Sequence, residues 1–154
     1  MKKTLIAAAL AFVAVFAGSV QAQNMSPSTA MLADTSPALY QAFGEKAGLV
    51  KLMDDFVPRL QADKRTAAAF KDANVVNLKA KLVDQLCQIS GGPCVYKGAD
   101  MKSAHSSMDI NKTDFNALVE VLQQSMDAQG IPFRNQNQML AKLAPMNRDV
   151  ITVK

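Results

Sequence analysis

The chain contains one histidine, His105, and apolar residues stand at helical spacing from it. Met101 lies four positions before it, Met108 three positions after it, and Ala104 is its neighbour. Residues three or four positions apart meet on one face of a helix. The sequence therefore predicts a short helix whose imidazole points into the protein interior.

Three roles for this imidazole follow from its surroundings. It can be a core histidine whose ring is satisfied by a hydrogen bond. Together with Met101 and Met108 it can bind copper(I), because that soft cation prefers thioether and imidazole donors. It can also be the axial ligand of a haem iron, with its apolar neighbours packed on the porphyrin face.

Other catalytic patterns are missing from the sequence. It has no Gly-x-Ser-x-Gly motif, no phosphate-binding glycine loop and no Cys-x-x-Cys pair. One histidine and two cysteines are too few for a zinc site unless carboxylates stand at matching intervals, and none do. Asp54 and Asp55 are adjacent, so on a helix they point about 100° apart. We interpret this pair as solvated surface.

The two cysteines, Cys87 and Cys94, flank the tripeptide Gly91-Gly92-Pro93. Thiols this close in sequence can meet only where the chain reverses, and glycines followed by proline favour a reversal. We therefore expect a disulfide, provided that the protein reaches an oxidising compartment. The alternative is a buried Cys87 and an exposed, free Cys94.

The N-terminal residues have the three parts of a secretory signal: Lys2 and Lys3, an apolar run over residues 5–17, and small residues up to Ala22. The run is shorter than the roughly 20 residues that cross a bilayer, which favours cleavage after Ala22 over a permanent anchor. We expect residues 1–22 to be a signal peptide that directs the protein to the periplasm. Residues 23–36, which are mostly small and polar, are predicted to be a flexible leader.

The composition of the remaining chain argues against two kinds of partner. The formal net charge is +4, and removal of the signal lowers it by the two charges of Lys2 and Lys3. Basic residues do not cluster with aromatic residues, so nucleic acid is not an expected partner. No later segment is as apolar as the signal, so no membrane contact is expected after cleavage.

Helices must position these residues, because apolar residues recur every three or four positions and no segment alternates like a strand. Short helices are predicted from Pro37 to about Gly44 and over residues 63–70, and a longer one over 46–61. Two further helices start at the N-caps Asn74 and Asn111, and Gly130 ends the second of them. A last helix is expected to be kinked by Pro145. The predicted fold class is all-α.

The order of these motifs resembles the group I truncated globins, small relatives of haemoglobin with a two-over-two helical sandwich. The resemblance covers residues 39–151, with similar gaps between the matching pieces. Those pieces are Leu39-Tyr40 with Gly44 and Gly48, Asp54-Asp55-Phe56, Ala62-Asp63, Phe70, Leu78-Lys79-x-Lys81, Gly91-Gly92-Pro93 with Tyr96 and Gly98, Met101-Lys102-x-x-His105, Ile110, Phe115, Gly130-Ile131-Pro132 and Leu143-Ala144-Pro145.

The resemblance implies a truncated globin domain over residues 37–154, with one haem b per chain and oxygen, nitric oxide or carbon monoxide as ligand. His105 falls at the position of the proximal iron ligand, and Lys81 at that of a basic residue that can reach a haem propionate. Ordinary core or surface is the alternative role at each position. The other implied cofactor-binding residues are Phe70, Leu78, Leu82, Tyr96, Met101, Ile110, Phe115 and Leu118.

One wall of the implied pocket departs from the family. Relatives carry a tyrosine where Val57 stands, and often glutamine where this chain has leucine. Only Gln85 or a water could then hydrogen-bond to the bound gas, so we expect fast oxygen release and easy autoxidation. The missing donor also argues against efficient nitric oxide dioxygenase activity, although such activity, or a redox partner, is compatible with the fold. The implied distal pocket comprises Phe56, Val57, Leu78, Leu82 and Gln85.

Two other functions stay open at this point. The chain can be a haem-free periplasmic binding or stress protein in which His105 is structural. It can also be a copper(I) carrier that uses Met101 and Met108.

Overall fold

A computed structural model describes residues 37–153, and all regular structure in this part of the chain is helical, as predicted. The predicted signal peptide, residues 1–22, and the predicted leader, residues 23–36, lie outside the described residues. The helices are α1 (Ala38–Ala42), α2 (Glu45–Ala62), α3 (Ala67–Phe70), α4 (Val75–Ile89), α5 (Met101–His105), α6 (Lys112–Ala128), α7 (Phe133–Leu143) and α8 (Asn147–Val150), with a 3-10 turn at Ala144–Met146.

The four longest helices form two layers. α2 packs against α4, and α6 packs against α7. The first pair meets the second through contacts of α2 with α6 and of α4 with α7. This is the two-over-two sandwich that the sequence predicts. Among residues 37–153, no helix has the length and apolar character needed to cross a membrane.

α2 supplies one side of the core, because its apolar residues recur at three- and four-residue steps. Leu49, Leu52 and Leu60 have no exposed surface. Pro58 lies on the exposed side within the same continuous helix. Apolar residues of the other helices and of the turns after α1 and α6 complete the core, namely Leu39, Tyr40, Phe43, Val83, Leu86, Val121, Leu122, Met126, Ile131 and Met139.

α4 has one face in the core and another on a cavity. Its N-cap is Asn74, as predicted, whose side chain accepts a hydrogen bond from the Asn77 backbone nitrogen at 3.0 Å. Leu86 is buried in the core. Leu78 and Leu82, which the periodicity also assigns to the core, are only half-buried. Both line the cavity, as does Leu86.

α6 begins and ends where its local sequence predicts. The Asn111 side chain accepts hydrogen bonds from the backbone nitrogens of Thr113 and Asp114. The Asp114 carboxylate accepts one in return from the Asn111 backbone nitrogen. This reciprocal pair is a capping box. Gly130 follows the helix with a φ of 67°, the left-handed conformation that glycine adopts without strain.

The last predicted helix is divided in the structure. The periodicity predicts one helix kinked at Pro145, whereas α7 ends at Leu143 and α8 begins at Asn147, with Pro145 in the 3-10 turn between them. Proline lacks an N–H to donate, and its ring clashes with the preceding turn, so the α-helix stops here. After this break, α8 packs against α5.

α5, the helix that carries His105, has five residues, too few to be stable alone. Asp100 caps it by accepting hydrogen bonds from the backbone nitrogen and the hydroxyl of Ser103. Beyond α8, the backbone nitrogens of Thr152 and Val153 donate to the Ile110 carbonyl at 2.8 and 3.1 Å. Contacts from the C-terminal residues therefore hold the segment around His105 in place.

Cys87, in the last turn of α4, forms a disulfide with Cys94, as predicted. The chain reversal between them depends on glycine. Gly91 has a φ of 88°. A Cβ on Gly92 would lie 2.7 Å from the Cys87 sulfur and 2.7 Å from the Tyr40 ring. The turn therefore packs the end of α4 closely against α1 and sets where the loop towards α5 begins.

The disulfide is expected to stabilise the fold mainly by restricting the unfolded chain. Replacing Cys87 and Cys94 together by serine should lower the free energy of unfolding by about 2–3 kcal/mol in urea denaturation. Dithiothreitol should lower the free energy of unfolding of the wild-type protein by a similar amount and should not change that of the double variant. Equal denaturation midpoints for oxidised and reduced wild-type protein would contradict this account.

Candidate functional site

A cavity of about 960 Å³ lies within the described residues, and every helix except α1 contributes to its wall. Most of its lining side chains are aliphatic or aromatic. Sites for small molecules and cofactors have volumes of about 300–1,000 Å³. The cavity is thus large enough for a cofactor and suited to an apolar one.

Large apolar side chains border this cavity without filling it. They pack against the core on one side, yet each is only partly buried. Protein interiors are normally close-packed, so side chains of this size around one shared space fit a bound apolar molecule that would complete the packing. The partly buried residues that line the cavity include Phe70, Leu82, Leu118, Leu140 and Leu143.

His105 lines the cavity from α5. Its Nδ1 lies 2.7 Å from the carbonyl oxygen of Met101, four residues earlier. Because a carbonyl can only accept, Nδ1 carries the proton of the neutral ring and Nε2 carries the lone pair. A neutral imidazole of this tautomer can bind a metal ion through Nε2, while the bond at Nδ1 fixes the orientation of the ring.

The structure brings all but one of the predicted site residues together around this cavity. The exception is Val57, which is fully buried and does not line the wall. It follows Phe56 by one position, so the helix turns it about 100° away. Val57 therefore lies behind the wall, not in it as predicted. The predicted residues that line the cavity are Phe56, Phe70, Leu78, Lys81, Leu82, Gln85, Tyr96, Met101, His105, Ile110, Phe115 and Leu118.

Gln85 lines the cavity next to the first residue of α5. Its amide nitrogen is 3.5 Å from the Met101 sulfur and 3.4 Å from the Met146 sulfur. Since Met101 begins α5, these contacts hold the amide on the same side as His105. Leu78, seven residues earlier on α4, lies about 10 Å further along the helix axis. Gln85 therefore lines the cavity beside the helix that carries His105, and its role in a distal pocket stays a prediction.

Two cations stand among the lining residues, the exposed Arg65 and the half-buried Lys81. The Arg65 side chain donates to Asp63 at 2.8 Å and its backbone nitrogen donates at 2.9 Å, which lowers the pKa of Asp63 to about 2. Hydrogen bonds to Asp63 and then to Glu120 raise the pKa of Arg65 above its ordinary value. Arg65 is therefore a permanent cation that joins the α2–α3 turn to α6 at the cavity.

Several lining residues were not predicted. Met53 and Leu60 lie on the α2 face that also carries Phe56, at steps of three and four, so helical spacing could have identified them. Met146 and Val150 also line the cavity. Their positions depend on the break at Pro145 and on the return of α8 to α5, which no local pattern indicates.

Comparison with known proteins agrees with this geometry. The family model for bacterial-like globins matches residues 38–152. The group 1 truncated hemoglobin GlbN of Mycolicibacterium paratuberculosis is 28% identical over 115 residues, which cover 75% of this chain and 85% of that protein.

Two solved structures share the fold. The truncated hemoglobin from Tetrahymena pyriformis in its Fe(III) form superposes with a TM-score of 0.71 at 24% identity, over 73% of this chain and 97% of that one. A Synechococcus 2/2 hemoglobin, solved in the cyanomet state with covalently attached heme, superposes with a TM-score of 0.69 at 19% identity, over 75% and 98% of the two chains.

The family match spans nearly all of the described residues, and the structural likeness extends over almost the full length of both hemoglobins. The all-helical class, the arrangement of the four long helices and the recognised family are thereby confirmed. The chain belongs to the bacterial-like globin family and has the two-over-two fold of the truncated haemoglobins, a fold whose family implies haem binding and a diatomic gas as ligand.

Proposed function

We propose that the protein holds one haem b per chain with His105 as the proximal iron ligand. The observation that carries this proposal is the hydrogen bond from His105 Nδ1 to the Met101 carbonyl, at 2.7 Å, in a residue that lines a cavity of about 960 Å³. It leaves Nε2 with the lone pair that iron requires. The size and apolar lining of the cavity suit the flat macrocycle.

The residues around the cavity are suited to holding both the apolar faces and the charged propionates of a haem. Phe70, Ile110 and Phe115 would hold the macrocycle by burying its apolar faces. Lys81 would pair with a propionate, because its side chain lines the cavity, whereas the Arg65 guanidinium is already bonded to Asp63 and Glu120.

The chain's own residues favour a non-covalently bound haem. Cys87 and Cys94 are joined to each other, and His105 is the only histidine. Neither a free thiol nor a second imidazole is therefore available for a covalent bond to the cofactor. This supports haem b over a covalently attached haem.

When bound, the haem supplies an iron that takes up a diatomic gas. Phe56, Leu78 and Leu82 contribute apolar groups to the cavity. Val57 stands where relatives have a tyrosine, and the Gln85 amide is held by the Met101 and Met146 sulfurs. We therefore propose that bound oxygen receives no strong hydrogen bond from these side chains and is released quickly.

We also propose that the protein is exported to the periplasm. The N-terminal pattern of residues 1–22 supports a cleaved signal. The Cys87–Cys94 disulfide adds support, because disulfides persist in oxidising compartments.

Replacing His105 by alanine should abolish stable haem binding, because it removes the Nε2 donor. Wild-type protein produced with ample haem should show a Soret band in its absorption spectrum and bind carbon monoxide when reduced. The variant should keep its helical circular dichroism but lose the band, and added imidazole should restore part of it.

The matched control is Lys102→Ala on the same helix, an exposed residue that does not line the cavity, which should keep the Soret band. A wild-type protein that is well folded and colourless would refute haem binding and favour a haem-free helical protein. If that colourless protein binds copper(I) and loses it when Met101 and Met108 are both changed to leucine, it is a copper carrier.

A donor introduced into the apolar wall should slow oxygen release. Leu82 lines the cavity, so Leu82→Gln places an amide there. A hydrogen bond to bound oxygen of about 1.5 kcal/mol would lower the dissociation rate about tenfold in stopped-flow measurements. Leu82→Met tests the change of shape without a donor and should leave the rate near that of wild type. Equal rates for wild type and Leu82→Gln would contradict the proposed lack of a donor.

Export predicts a defined mature protein. Full-length chain expressed in a Gram-negative host should be recovered from the periplasmic fraction with Gln23 as its first residue, as determined by mass spectrometry. Leu10→Arg interrupts the apolar run and should block processing. Recovery of the uncleaved wild-type chain from the membrane fraction would indicate an anchor instead of a signal.

A further inference from the structure

Gln85 is a buried polar residue in an otherwise apolar part of the cavity wall. It is 8% exposed. Its amide nitrogen donates to the Met146 sulfur at 3.4 Å and to the Met101 sulfur at 3.5 Å. Thioether sulfur is a weak acceptor, so these bonds repay only part of the cost of burying an amide. A side chain retained at such a cost calls for a role other than stability.

The two sulfurs connect Gln85 to different elements. Met101 is the first residue of α5, and Met146 ends the 3-10 turn after α7. The amide of Gln85 thus links α4, the helix α5 that carries His105, and the 3-10 turn after α7. α5 needs such links, because a helix of five residues does not hold its own conformation.

Met101 is also the residue that orients His105. Its carbonyl oxygen accepts the hydrogen bond from His105 Nδ1, at 2.7 Å. The side chain of Met101 is therefore held by Gln85 while its backbone holds the imidazole. Any shift of Met101 changes the position or direction of the acceptor on which the tautomer of His105 depends.

We propose that Gln85 is a positioning residue for His105, acting through Met101. By fixing the Met101 side chain, it keeps the Met101 carbonyl in line with Nδ1–H and Nε2 in the form that can bind iron. The consequence for haem rests on the proposed function, whereas the effect on the imidazole is already present in the protein without cofactor. If Gln85 had a purely structural role, its substitution would lower the stability of the protein. If it positions His105, its substitution changes the tautomer of that imidazole.

The first measurement uses the full-domain protein without haem. In ¹⁵N NMR spectra of the imidazole, wild-type His105 should be mainly the Nδ1–H tautomer. Gln85→Leu should shift the ring towards a mixture of the two tautomers, with little loss in the free energy of unfolding. Gln138→Leu, the same substitution at an exposed residue away from the cavity, should change neither quantity.

The second measurement uses the haem-loaded protein. Residues that orient a metal ligand typically affect metal affinity 10- to 100-fold. Gln85→Leu should therefore transfer haemin to excess apomyoglobin about tenfold faster than wild type, and the iron–histidine stretching frequency of the reduced protein should fall.

A double-mutant cycle tests whether Gln85 acts on His105 through Met101 or through a general change in the cavity wall. Met101→Leu removes the sulfur that accepts from Gln85 but keeps the backbone carbonyl. If Gln85 acts through Met101, the double variant should lose haemin no faster than either single variant. If Gln85→Leu fails to fold, Gln85→Met fills the same space without a donor and takes its place in both measurements.

The proposal would be overturned if the effects of the two substitutions on the haemin transfer rate were additive. It would also be overturned if Gln85→Leu had the same His105 tautomer and the same haemin transfer rate as the wild type. These outcomes are distinct from a failure of the proposed function, in which the wild-type protein itself retains no haem. In that case the tautomer measurement still decides whether Gln85 positions His105.

Discussion

The site depends on the hydrogen bond between His105 Nδ1 and the Met101 carbonyl. An unrestrained imidazole exchanges its proton between its two nitrogens. Here a main-chain acceptor one helical turn away removes that freedom. The geometry of this bond depends on the position of α5. The Asp100 cap and the contacts of α8 hold this short helix in place.

The helices divide their faces between two tasks. On one side, α2, α6 and α7 bring together side chains such as Leu49, Met126 and Met139 with almost no exposed surface. This dense region gives the fold its rigidity. On the other side the same helices present half-buried apolar residues to a shared cavity. On α4, Leu78, Leu82 and Leu86 all line the cavity, but only Leu86 is also buried in the core.

Structural features that depend only on neighbouring residues could be predicted from the sequence. The capping box of Asn111 and Asp114, the glycine after α6 and the disulfide turn each depend on a few adjacent positions, and each is present. Apolar character alone could not predict which residues line the cavity, because Phe56 and Val57 are both apolar and buried and differ in the direction that the helix gives them. The side of the cavity on which Gln85 lies depends on Met101 and Met146, which are 16 and 61 positions away. Neither contact can be predicted from the spacing of neighbouring residues.

The pairing of Thr152 and Val153 with Ile110 has a consequence for the order of events during biosynthesis. A ribosome releases residues 147–153 after every other segment that borders the cavity. Until they emerge, α5 lacks α8 and its backbone partners, and a five-residue helix cannot stay formed without them. The half-built protein therefore offers an incomplete imidazole site while most of its helices can already fold. A cofactor that depends on His105 would therefore be held only once residues 147–153 are in place.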